Sequence, residues 1–133
     1  MKTPKYEAGL AMRKAVLGAD YVERAMAEAD EFTQPLQELV TENAWGTVWT
    51  RDILNRRDRS LITVAMLIAL NRPHELKLHV RGALNNGLSK EEIRELLLHA
   101  SVYCGMPGAV DAFRVAKEVF KEIESEIESE GNR

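Results

Sequence analysis

Ten consecutive residues, 61–70 (LITVAMLIAL), carry no charge and leave no polar face on a helix. Their Ala and Met content and their length favour helix over a buried strand. A helix without a polar side has to be surrounded by others, and ten residues are too few to span a bilayer. The rest of the chain can supply the surroundings, because nearly every other segment has helical periodicity and none alternates convincingly as a strand. The expected fold is an all-α domain of about six helices. At 133 residues it reads as a single domain spanning 1–133. Its apolar faces exceed what one small bundle covers, so a homo-oligomer is expected.

Punctuation places the helices. The first covers residues 6–17 and ends at Gly18, and Asp20 then suits the N-cap of 21–29. Thr33 or Gln34 with Pro35 opens a third, with Leu36, Leu39 and Val40 inward. Asp58 suits the cap of the apolar helix, 59–70, and Asn71-Arg72-Pro73 turns the corner into the next. Residues 73–87 (PHELKLHVRGALNNG) form one helix with Pro73 in its first turn and Asn86-Gly87 at its exit. Ser89 and Glu92 make a capping box for 90–103, and Gly105 and Pro107 form the second corner. Val110, Phe113, Val115, Ala116, Val119, Phe120 and Ile123 mark the inner face of the last helix. Residues 121–133 are acidic and expected to fray.

Several classes of function drop out. The net charge of −3 gives no global basic character. The arginine-rich stretch 50–59 is short, holds two Asp and lacks interleaved aromatics, so nucleic acid is not an expected partner. The N-terminus has no signal-peptide core, and the expected location is the cytoplasm, away from membranes. One cysteine, Cys104, allows neither an intrachain disulfide nor a CxxC motif. With three histidines in no metal-binding spacing, no metal site is expected.

What remains is a short set of chemically capable side chains. Leu76, Val80, Ala83 and Leu84 form a buried stripe, and Glu75 and His79 sit four residues apart beside it. Such a pair is either an ordinary helix-surface pair or one that fixes a tautomer and moves a proton. Trp45 and Trp49, four apart around Gly46, read either as core anchors or as the apolar wall of a small pocket. His99 reads as structural or exposed. The arginines of 50–59 read as a solvated connector or as guanidiniums for carboxylates.

The segments AWGTVWTR, RSLITVAMLIALNR, HELKLHVRGALNNGLSKEEIRE and YCGMP, taken jointly, resemble the carboxymuconolactone decarboxylase family, within the wider group sharing the alkylhydroperoxidase D-like fold. The resemblance spans residues 6 to about 120. Redox members of that wider group carry CxxCxxxH. Here the pattern falls on Arg72, Glu75 and His79: the histidine is kept and both thiols are missing. Thiolate chemistry needs thiols, so the peroxidase reading fails.

The resemblance implies decarboxylation of 4-carboxymuconolactone to 3-oxoadipate enol-lactone, a step of protocatechuate breakdown in the β-ketoadipate pathway. The partner implied is a lactone dicarboxylate. Its leaving carboxylate is vinylogous to the lactone carbonyl, so it carries its own electron sink and no cofactor is implied. On this reading His79 donates the proton, its imidazole titrating near neutrality, and Glu75 orients it. Arg51 or Arg81 would clamp a carboxylate. Arg81, two residues from His79, points about 200° round the helix and serves an interface or ion pair as readily. Trp45, Trp49, Tyr103 and Cys104 would wall the pocket. The resemblance also implies a hexamer, a trimer of dimers. Two rivals stay open: an enzyme of this fold acting on another lactone or β-keto acid, and a non-catalytic helical oligomer.

Overall fold

Thr3 starts the first helix. Its hydroxyl accepts from the Tyr6 N–H at 3.0 Å, and Pro4 takes the first turn, where no donor is needed. The computed structural model describes residues 2–131 and, among them, seven α-helices, one π-helix and no strand. The backbone divides into two compact units, Met1–Arg59 and Ser60–Arg133.

In the first unit, α1 (Pro4–Leu17) ends at Gly18, whose φ of +95° suits glycine. That single residue turns the chain, so α2 (Ala19–Glu28) begins before Asp20. Asp20 lies inside the first turn and is not the expected cap. Asp30 and Thr33 bond reciprocally, at 2.9 and 3.0 Å, ahead of α3 (Gln34–Leu39). The chain then widens into a π-helix, Val40–Trp49. Burial falls on Thr41, Trp45 and Trp49, spaced by four. Leu36 and Leu39, expected inward, are exposed: α3 buries none of its residues.

The π-helix lies directly against α1. A Cβ on Gly9 would strike the Thr41 carbonyl oxygen and the backbone of Gly46, and one on Gly46 would strike the Lys5 carbonyl. No side-chain rotation relieves a clash with backbone. Gly9→Ala is therefore expected to destabilise the fold by about 3 kcal/mol, measured as a lowered urea midpoint with the slope unchanged.

The second unit is built around α5–α7. Asn55 caps α4 (Arg56–Ala69), its Oδ1 accepting from the Asp58 N–H at 2.8 Å. The helix thus starts three residues before the expected Arg59, with Asp58 in its first turn. Ser60, Val64 and Ile68 are buried, whereas Ile62, Met66 and Leu70 are exposed. The apolar helix is covered on one side only within a single chain, not on all sides as its composition suggests.

Asn71 turns the corner at φ +56°. The helix α5 (Pro73–Asn85) closes at Gly87 (φ +96°) with the Leu88 N–H bonded to the Ala83 carbonyl at 3.0 Å. The capping box of α6 (Lys90–Cys104) is complete on both sides. After Gly105, α7 runs from Met106 to Gly131. Leu76, Val80, Ile93, Leu97, Ala112 and Val119 are at the centre of the core.

The buried line on α7 is Ala109, Ala112, Ala116 and Val119. Small side chains let the helix approach closely, and this rotates Val110 and Phe113, expected inside, to exposed positions. The acidic end is helix through Gly131, not frayed chain, and residues 132–133 lie outside the described residues. Its carboxylates have partners: Lys77 meets Glu122 at 2.7 Å, and Lys90 meets Glu124 at 3.4 Å.

Candidate active site

His79 sits where the periodicity of α5 puts it. Leu76 and Ala83, at i−3 and i+4, are buried in the core, while Glu75, at i−4, is exposed. The ring therefore lies at the edge between packed and open surface. Burial pushes its pKa down from 6.5 to about 4, and the charge of Glu75 opposes that shift without cancelling it. The expectation of titration near neutrality is thus corrected: desolvation holds the imidazole neutral at pH 7. Glu75 acts on the ring as a charge one turn away.

This has a measurable consequence for stability. The unfolded chain takes up the proton near pH 6.5, the folded ring only near pH 4. Stability from this group is full above pH 6.5 and falls by up to about 3 kcal/mol as the pH drops to 4. Urea unfolding of the wild type and His79→Gln at pH 7 and pH 4 should show that much less acid loss in the variant. Equal losses would place the ring in solvent.

Arg81 points away from this edge. Its fork grips Glu126 at 2.9 and 3.1 Å, with Glu122 at 3.7 Å. Of the two roles open to it from the sequence, the ion pair is the one it occupies, and it ties α5 to α7.

At the end of α6, Tyr103 is 78% exposed, and its ring lies 5.1 Å from that of His99, which is itself exposed. Cys104 is a half-buried free thiol packed against the core of the second unit. Tyr103 is therefore a surface ring at this corner, while Cys104 belongs to the edge of the core. Among the described residues no group of three His, Cys, Asp or Glu could hold a metal ion, and no helix is long and apolar enough to cross a membrane.

The first unit carries the other candidates. Trp45 and Trp49 are both buried, their ring centroids 4.8 Å apart and their planes tilted by 30°. A π-helix, rare in proteins and frequent at functional sites, presents them together. Arg51 follows it on an exposed turn. Arg59 staples that turn, donating to the Arg51 carbonyl and to the Leu54 carbonyl, each at 3.2 Å. One of the arginines of the basic stretch is thus structural.

Sequence reasoning passed over Arg13. It stands on the buried face of α1 in line with Tyr6, Gly9 and Val16. A charged residue at a core position of a helix was the available signal.

The sequence model of the "Carboxymuconolactone decarboxylase family" matches residues 34–118. This chain belongs to that family. The matched span runs from the start of α3 into α7 and includes the tryptophan pair. Two relatives extend the likeness over most of the chain. A nitrosuccinic acid decarboxylase of Metarhizium robertsii is 48% identical over 89% of this chain and 82% of its own. A 4-carboxymuconolactone decarboxylase of Acinetobacter baylyi is 44% identical over 90% of this chain and 89% of its own. The enzymatic class of this family member is accordingly that of a carboxy-lyase.

Proposed function

We propose that this protein removes CO2 from 4-carboxymuconolactone, leaving 3-oxoadipate enol-lactone, with His79 delivering the proton and no cofactor taking part. The observation that carries the reading is a half-buried imidazole at the margin of the α5 core stripe, in a chain 44% identical to a decarboxylase of that substrate. The bond from carbon to the leaving carboxylate breaks. Its electron pair passes through the conjugated system onto the lactone oxygen, and a proton is then delivered to carbon. The imidazolium of His79 is the donor and Glu75 supports its charge from one turn away. Cys104, packed at the edge of the same core, contributes apolar surface.

A second substrate has its own support in the 48% identity to a nitrosuccinic acid decarboxylase. The chemistry is parallel: a dicarboxylate whose nitro group receives the electron pair, followed by protonation at carbon. Purified protein in EDTA, offered each acid separately, decides between them. Faster loss of 4-carboxymuconolactone absorbance supports the first reading. Preference for nitrosuccinate overturns the substrate but keeps the mechanism, and no turnover of either overturns both. The same reading includes a homo-oligomer, a hexamer, that covers exposed Ile62, Met66 and Leu70 on α4, testable by sedimentation.

A further inference from the structure

The buried line of α7 stops at Val119. The helix nevertheless continues to Gly131, and between 121 and 131 only Ile123 is even half-buried. Ile127, the other apolar side chain of this stretch, is 63% exposed. Burial therefore does little to hold these last turns in place.

Intrinsic preference does not hold them either. Residues 121–131 contain five Glu and one Lys, a net charge of −4. Glu122 and Glu126, Glu124 and Glu128, and Glu126 and Glu130 are each four apart, where like charges repel across a helix surface. The last turn has no basic residue, so Glu128 and Glu130 also oppose the negative end of the helix dipole.

The compensating charges come from other helices. Lys77 on α5 meets Glu122 at 2.7 Å and Glu118 at 3.9 Å. One turn on, Arg81 forks Glu126 at 2.9 and 3.1 Å and reaches Glu122 at 3.7 Å. Lys90, the first residue of α6, meets Glu124 at 3.4 Å, with Nζ 5.0 Å from the centre of the Phe120 ring. The rising order of contacts makes α5 and α7 parallel here. Two cations four apart thus interleave with three carboxylates four apart. Every one of these side chains is well exposed, so each pair alone is weak.

We infer that residues 121–131 are a charge-held strap, helical because Lys77, Arg81 and Lys90 clasp them, which opens as a unit while the rest of the second unit stays closed. The hinge lies after Phe120, where burial ends. Lys77 and Arg81 stand two residues either side of His79, about 200° round the helix, so the strap fastens α5 from the back. Opening it frees three cations on α5 and α6 and leaves the core contacts of Leu76, Val80 and Ala83 in place.

Amide hydrogen exchange of the full-length protein tests this without any turnover. In the wild type, amides of 125–131 should exchange faster than those of 110–119. Glu126→Gln decides between clasp and self-support, because the two predict opposite signs. A self-supporting helix gains when a charge beside Glu122 and Glu130 is removed, and its exchange slows or holds. A clasped strap loses the Arg81 fork, and exchange of 125–131 quickens roughly 1.5- to 5-fold, the worth of one exposed pair. Lys77→Met with Arg81→Met should quicken it roughly 10-fold, with α6 and 110–119 unchanged. Arg81→Glu alone should open the strap, and Arg81→Glu with Glu126→Arg should restore its protection. Unchanged or slower exchange in Glu126→Gln overturns the inference. So does equal acceleration across α5, α6 and all of α7, because the last turns would then have no opening of their own.

Discussion

His79→Ala is expected to lower kcat by roughly 100- to 10,000-fold, the range for loss of a positioned general acid, while the helical content and assembly stay as in the wild type. The structure separates these two outcomes. The buried contacts of α5 come from Leu76, Val80, Gly82 and Ala83, so the helix keeps its seat when the imidazole is removed. On the proposed mechanism the chemical step loses its proton source, and the carbanion equivalent left after CO2 departs has to take its proton from water. His79→Gln is the informative companion, because it preserves bulk and polarity but cannot become a cation. Both variants should be slow, with KM changed much less than kcat. A variant that retained activity within tenfold of the wild type would remove His79 from the proton-donating role and return attention to Glu75.

Most of the fold could be read from the sequence because its signals are local. The Ser89/Glu92 capping box, the Gly18, Gly87 and Gly105 exits, and Pro35 and Pro73 in first turns are each set by a few neighbouring residues, and the structure has all of them. The failures share one cause, which is competition between local signals and packing. Asp58 looks like a cap, but Asn55 lies three residues upstream and takes the role. Val110 and Phe113 are larger and more apolar than Ala109 and Ala112, yet close helix approach selects the alanines. The π-helix has no signal in residue spacing, since a Trp pair four apart shares a face in an α-helix as well. Of the candidate site, the residue types and the Glu75/His79 spacing were legible. The protonation state of His79 was not, because it depends on desolvation by residues that only the folded chain brings near.

Occupation of the site by a carboxylate should raise the pKa of His79 from about 4 to about 7. The depressed value poses a problem that magnitudes resolve. At pH 7 a ring of pKa about 4 is cationic in roughly one molecule in a thousand, too few for a good acid. The substrate, however, is an anion. One carboxylate about 4 Å from the ring, at an effective dielectric constant near 20, stabilises the imidazolium by about 4 kcal/mol, or about three pKa units. That is enough to offset the burial. The proton is then taken up with the substrate, in step with a reaction that consumes one proton per CO2 released. Labelled-histidine NMR titrations would show the change directly, using a saturated analogue of the lactone that lacks the conjugation needed to lose CO2. The rate profiles should divide in the same way. kcat, which reports the complex, stays level to about pH 7 and then falls. kcat/KM, which reports the free enzyme, declines from about pH 4 upward. Glu75→Gln removes a charge that raises the pKa of the ring, so it should move the fall in kcat to lower pH without changing its shape. A kcat/KM independent of pH between 5 and 8 would exclude the imidazolium as the acid, whatever the His79→Ala protein does.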